Sequence, residues 1–201
     1  MRVLAVLVVL IGALTACTST DEEPVGPDPT TAGTPLASYD TEGFAVPRAD
    51  ICGLIVDGTA ARALGADVVD TTAHGNGDKV EVAPGVTDVV HEFSCGWSAA
   101  DGTTASVWVF APPVTPEEAD DLARKVTRDK GCRAVQGPAF GTHSVQTVCH
   151  RGSRRTEAAF HGLFGDAWLT CAITGPGRPS TLRGKASAWC VDVLAATRVS
   201  P

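Results

Sequence analysis

Val89-Val90-His91-Glu92-Phe93-Ser94-Cys95-Gly96-Trp97, followed by Asp101-Gly102 and then Thr104-Ala105-Ser106-Val107-Trp108-Val109-Phe110-Ala111, decides the fold. In the first run Val89, His91, Phe93, Cys95 and Trp97 fall on one side of an extended chain, and Val90, Glu92, Ser94 and Gly96 on the other. That period of two is the signature of a half-buried strand. Asp-Gly is a turn dipeptide, and the run after it is rich in β-branched and aromatic side chains. The segment therefore predicts an antiparallel hairpin.

On its N-terminal side, Ala60 to Leu64 is a short helix introduced by Asp57 or Thr59 and stopped by Gly65. On its C-terminal side, Thr115-Pro116-Glu117-Glu118 carries three helix-start signals: a Thr N-cap, Pro at the first helical position and Glu at the third. Ala119, Leu122, Ala123 and Val126 continue at helical spacing, and Gly131 ends the run. Ser144 to His150, Thr156 to His161 and Ala167 to Ile173 read as three strands. A last helix, capped by Ser180, aligns Leu182, Ala186, Trp189, Cys190, Val193 and Leu194 in one stripe. Hairpins outnumber parallel crossovers, so the expected class is α+β, a mainly antiparallel sheet flanked by helices. Phe93 to Trp97 and Thr147 to Arg151 share a short likeness, each before a turn and a strand, which leaves two diverged halves as one option.

The N-terminus carries the second strong signal. Met1-Arg2 precedes the apolar run Val3 to Leu14, which is too short to span a bilayer and suits a signal peptide. Leu14-Thr15-Ala16-Cys17 then has the order of a lipobox. Residues 1–16 are read as a lipoprotein signal peptide, with Cys17 as the diacylglycerol attachment point and new N-terminus. One acyl chain holds a protein reversibly, and two or three make desorption negligible. Residues 17–47 hold Pro24, Pro27, Pro29 and Pro35 among Ser, Thr, Gly and acids, and are read as a tether. Residues 48–201 are left as a single globular domain. The expected location is the extracytoplasmic face of the cell membrane, held through the lipid on Cys17.

The formal charge of −7 is concentrated near the N-terminus. Asp21, Glu22, Glu23, Asp28, Asp40 and Glu42 face Arg2 alone, leaving the rest of the chain with 17 of the 23 acids and 15 of the 16 bases. Basic residues do gather at Arg124, Lys125, Arg128, Lys130 and Arg133, but Asp120, Asp121 and Asp129 interrupt them, so nucleic acid is not an expected partner. Setting Cys17 aside, Cys52, Cys95, Cys132, Cys149, Cys171 and Cys190 make an even set, which reads as a disulfide framework in an exported domain. Six cysteines allow 15 pairings, and spacing alone does not select one. Sequential pairing (Cys52 with Cys95, Cys132 with Cys149, Cys171 with Cys190) is the expectation, because each bond then joins neighbouring elements.

The lipobox, the Pro/Thr-rich tether, Cys52-Gly53-Leu54-Ile55 leading into Ala60 to Gly65, Cys95-Gly96-Trp97, and Phe160-His161-Gly162-Leu163-Phe164-Gly165-Asp166 form a recognisable set. Together they resemble the small secreted lipoproteins of actinobacteria grouped as domains of unknown function. The resemblance covers roughly Asp50 to Leu194, through short structural motifs. It implies a membrane-anchored surface domain with no assigned catalysis. Extracytoplasmic sensor domains of mycobacterial kinases are similar in general plan only, and architecture alone carries no function.

A search for chemistry finds no constellation. His91-Glu92 lacks the second histidine of a zincin helix and lies on an expected strand. His143-Ser144 and Cys149-His150 are neighbours along strands and point to opposite faces. Gly184-Lys185 resembles a phosphate loop, but Pro179 and Ala186 stand where its first glycine and its hydroxyl belong. Catalytic, cofactor and metal residues are therefore expected to be none. Trp97 and Trp189 read as core; Trp168, alternating with Leu169, and His91 are the candidates for facing a ligand. The expected function is a non-enzymatic envelope lipoprotein binding a protein partner or a small hydrophobic or glycan ligand. The alternatives are a sensor or accessory subunit of a membrane kinase or transporter and, behind it, an uncatalogued hydrolase.

Overall fold

The computed structural model describes residues 34–41, 43–152 and 154–199; the expected signal peptide, Cys17 and most of the expected tether lie outside the described residues. In chain order it comprises α1 (Asp57–Leu64), β1 (Asp70–His74), β2 (Lys79–Ala83), β3 (Val86–Val89), β4 (Glu92–Ser98) and β5 (Thr104–Phe110). Then follow α2 (Pro116–Arg128), β6 (Cys132–Val135), β7 (Thr142–His150), β8 (Thr156–Phe164), β9 (Ala167–Gly175) and α3 (Pro179–Thr197). Seven strands form one antiparallel sheet in the order β1-β4-β5-β9-β8-β7-β6, and β2 pairs with β3 in a separate hairpin. The class is α+β, stapled by disulfides.

The register puts Val107 opposite Cys171, and Cys171 opposite Phe160, so these three share one face of the sheet. That face is the main core. Against it lie α3, buried through Leu182, Ala186, Trp189, Cys190, Val193 and Leu194, and α1, buried through Ala60 and Leu64. Trp97 and Trp189 meet edge to face at 5.5 Å, and the Trp189 indole N–H donates to the Ser106 carbonyl at 2.9 Å. A buried indole needs such a partner. Gly162 is required on this face, because a Cβ there would stand 1.6 Å from the Phe140 carbonyl oxygen.

All three sequential disulfides are present. Cys52–Cys95 ties the turn before α1 to β4, Cys132–Cys149 bridges β6 and β7, and Cys171–Cys190 joins β9 to α3. The capping box of α2 forms as expected: the Thr115 hydroxyl accepts from the Glu118 N–H, and Glu118 accepts from the Thr115 N–H.

Several expectations are corrected. The helix over Pro179–Thr197 starts from Arg178, with Pro179 in its first turn and no side-chain cap from Ser180. Four strands were not expected: β1, β2 and β3, which lie largely on the surface, and the four-residue β6. The alternation expected from Val89 begins instead at Glu92, because β3 ends at Val89 and residues 90–91 carry the chain into the sheet. Finally, the domain starts ahead of Pro47. Leu36 and Val46 are 1% and 4% exposed, the Leu36 N–H donates to Ser187 Oγ at 2.8 Å, and Ala45 bridges to Val199. Apolar side chains spaced through a polar run join the main core there, against α3.

Candidate functional site

The second face of the sheet is only half covered. Residues Trp108, Thr170, His161 and Val145 lie in one row across β5, β9, β8 and β7, as their pairings require. α2 crosses this face above β6, β7 and β8, burying Ala119 fully and Leu122 and Ala123 partly, against Leu163, Trp168 and Phe110. Between α2 and the sheet lies a cleft of about 670 Å³. Its wall is Trp108, Phe110, Leu122 and Val126; its floor is His161, Trp168, Thr147 and Thr170; its rim is charged. A second hollow of about 310 Å³ shares Phe110, Asp121, Leu122 and Lys125 with it and continues along α2 past Pro112, Pro113 and Val114.

His161 organises the floor. One ring nitrogen, Nε2, lies 3.0 Å from Thr147 Oγ1, and the other, Nδ1, lies 2.9 Å from Thr170 Oγ1. Its ring stacks near-parallel on Trp168 and meets Trp108 edge-on, each at 6.5 Å. Burial pushes its pKa down to about 4, helped by the positive charge of Arg151, so the imidazole is neutral at pH 7. A neutral imidazole has one N–H and one bare nitrogen, so one threonine accepts from it and the other donates to it. The hydroxyls of both threonines are thereby engaged. This trio has the reach of a nucleophile and a base, but an imidazole held at about 4 is a weak proton acceptor, and no carboxylate orients it.

The rim is a set of ion pairs. Arg151 donates to Glu157 at 2.8 Å and to Asp129 at 3.1 Å, joining β8 to the end of α2. Those bonds hold the guanidinium proton more tightly than usual. Arg124 pairs with Asp121. His143, at φ +50°, sits in the irregular stretch of β7 and places Nδ1 2.8 Å from Asp120 Oδ1, tying the other end of α2 to the sheet. Lys125 and Arg128 line the cleft without an ion-pair partner among the described residues.

The structure divides the two candidate ligand-facing residues. Trp168 does lie on the opposite face from Leu169, as alternation requires, but it is 2% exposed because α2 covers it, so it lines the cleft rather than projecting outward. His91 is exposed, outside every named strand and away from the cleft, so its placement on an apolar face beside Phe93 is corrected. Cys149 is bonded to Cys132 and offers no thiolate, and His150 is exposed beside it. Among the described residues no group of three or more His, Cys, Asp or Glu is placed to hold a metal ion, and no helix is long and apolar enough to cross a membrane. Trp108 was missed by the sequence reading. Its signal was present: Trp108 and Phe110 follow Thr104 and Ser106 on one side of a strand whose other side is Ala105, Val107 and Val109.

Neither the known protein families nor the curated proteins contain a match to this chain.

Proposed function

We propose that this chain is a lipid-anchored extracytoplasmic binding protein, held through Cys17, that takes a small molecule into the cleft under α2 and performs no chemistry on it. The observation that carries the reading is the cleft itself. Its volume of about 670 Å³ falls in the range of small-molecule sites, roughly 300–1,000 Å³. Its lining combines aromatic and aliphatic surface with a few convergent polar groups, the usual composition of such sites. The lipobox and the resemblance to small actinobacterial lipoproteins support the location, and the depressed basicity of His161 supports binding over catalysis.

The test uses the full chain in phospholipid nanodiscs and a neutral quencher of tryptophan emission, ω-bromododecanol. Saturable quenching is expected on top of the linear quenching from the bilayer, and Leu122→Asp, on the cleft wall, removes only the saturable part. Quenching that never saturates, or that Leu122→Asp leaves unchanged, overturns the binding site. For the anchor, radiolabelled palmitate is expected to label the wild type and not Cys17→Ala; equal labelling of both overturns it.

A further inference from the structure

The two ends of the cleft differ, and the difference specifies a ligand class. At the N-terminal end of α2 most of the exposed lining is apolar, from Pro112, Pro113, Val114, Phe110 and Leu122, with Glu118, Asp121 and Lys125 at its edge. At the C-terminal end it is cationic. Every carboxylate on the rim is already engaged: Asp121 by Arg124, Asp129 and Glu157 by Arg151, and Glu118 by the Thr115 cap. The cations are not matched in the same way, since Lys125 and Arg128 remain unpaired among the described residues, one turn apart on α2. Around this end Asp121, Asp129 and Glu157 stand against Arg124, Lys125, Arg128 and Arg151, an excess of one positive charge.

The polar floor argues against a sugar. A glycan needs donors and acceptors for its hydroxyls, yet the hydroxyls of Thr147 and Thr170 are spent on His161, and both residues are 1% exposed. Glu157 is spent on Arg151 and on the Thr174 hydroxyl. What remains available is apolar surface along the groove and positive charge at one end. From Glu118 to Arg128 the lining stretch of α2 is about 15 Å long at 1.5 Å per residue, a groove for an elongated molecule rather than a compact one.

Building on the binding function proposed above, we infer that the cleft takes a free single-chain anionic amphiphile, its chain along Phe110, Leu122 and Val114 and its carboxylate against Lys125 and Arg128. A charge-assisted contact to a carboxylate fixes which way round the molecule lies, and the apolar end supplies the burial.

The experiment compares three probes of one chain length on the full chain in nanodiscs: ω-bromododecanoate, ω-bromododecanol and ω-bromododecylamine, read as saturable tryptophan quenching. The carboxylate is expected to bind about tenfold tighter than the alcohol and more tightly still than the amine. Lys125→Gln with Arg128→Gln is expected to remove that tenfold preference, so that carboxylate and alcohol bind the variant with equal affinity. Both residues are exposed, so the double variant is expected to keep the wild-type melting temperature. Equal affinity for all three probes, with binding still abolished by Leu122→Asp, overturns the anionic specificity and leaves the cleft as a binding site. Saturable binding of none of them overturns both readings. A carboxylate preference that survives the double glutamine variant overturns the placement of the head group.

Discussion

Arg62 and Asp192 pair across the edge of the core: the exposed Arg62 places Nη2 3.3 Å from Oδ2 of the buried Asp192, while Oδ1 of the same carboxylate is buried without a hydrogen-bond partner among the described residues. Asp192 sits on α3, which packs against the sheet and α1, and its side chain is 3% exposed. Burial raises its pKa above 3.8, and Arg62 only partly offsets this.

The pH dependence follows with a definite sign. A carboxyl whose pKa is higher in the folded than in the unfolded chain contributes stability at low pH, and loses it as pH rises through the folded pKa. Urea unfolding of wild type and Asp192→Asn across the acid range should therefore show the wild type losing ground to the variant as pH rises above 3.8. A constant difference would mean that the carboxyl is not perturbed. Arg62→Ala, which strips the one partner that carboxylate has among the described residues, is expected to cost about 1–3 kcal/mol at neutral pH.

His161 produces the opposite slope. Its pKa falls from 6.5 unfolded to about 4 folded, so the unfolded chain binds the extra proton between those values. Stability is complete above 6.5 and is lost as pH drops toward 4, by up to about 3 kcal/mol at 1.36 kcal/mol per unit. An imidazole proton resonance that titrates near 4, absent in His161→Gln, is the direct observation. A midpoint near 6.5 would contradict the buried placement between Thr147 and Thr170.

The disulfides make a chemical prediction. With Cys52–Cys95, Cys132–Cys149 and Cys171–Cys190 all closed, none of these six thiols should alkylate before reduction. Removing Cys171–Cys190 by paired Ala substitution is expected to cost about 3 kcal/mol, measured by urea unfolding. Both residues are fully buried, so the loss of sulfur packing adds to the loss of the cross-link. Two or more alkylatable thiols in the unreduced protein would break the framework.

What the sequence made legible tracks burial on one face. β4 and β5 were readable because Cys95, Trp97, Ala105, Val107 and Val109 face a core while their neighbours do not. β1 was unreadable for the converse reason: all five of its residues are exposed, so no alternation marks it. At the cleft, parity was legible and cover was not. Alternation placed Trp168 opposite Leu169, but the helix that hides it is set by contacts between segments some fifty residues apart. The His161 cluster was out of reach altogether, because Thr147, His161 and Thr170 meet only through the register of three strands.

The start of the domain gives the last prediction. Composition assigned residues up to Pro47 to a tether, because prolines, threonines and acids outnumber apolar side chains there. Four apolar residues reverse that reading. Leu36 and Val46 are buried, and Tyr39 packs against Phe44 with ring centroids 5.9 Å apart. Thr41 adds a hydrogen bond, its hydroxyl accepting from the Gly141 N–H at 3.2 Å. Leu36→Ala should therefore behave as a core substitution and lower the unfolding free energy by about 2–4 kcal/mol. Leu54→Ala supplies the contrast, since Leu54 is 46% exposed and its truncation should fall within about 0.5 kcal/mol of wild type. Equal, small effects from both would mean that Leu36 is not packed into the core.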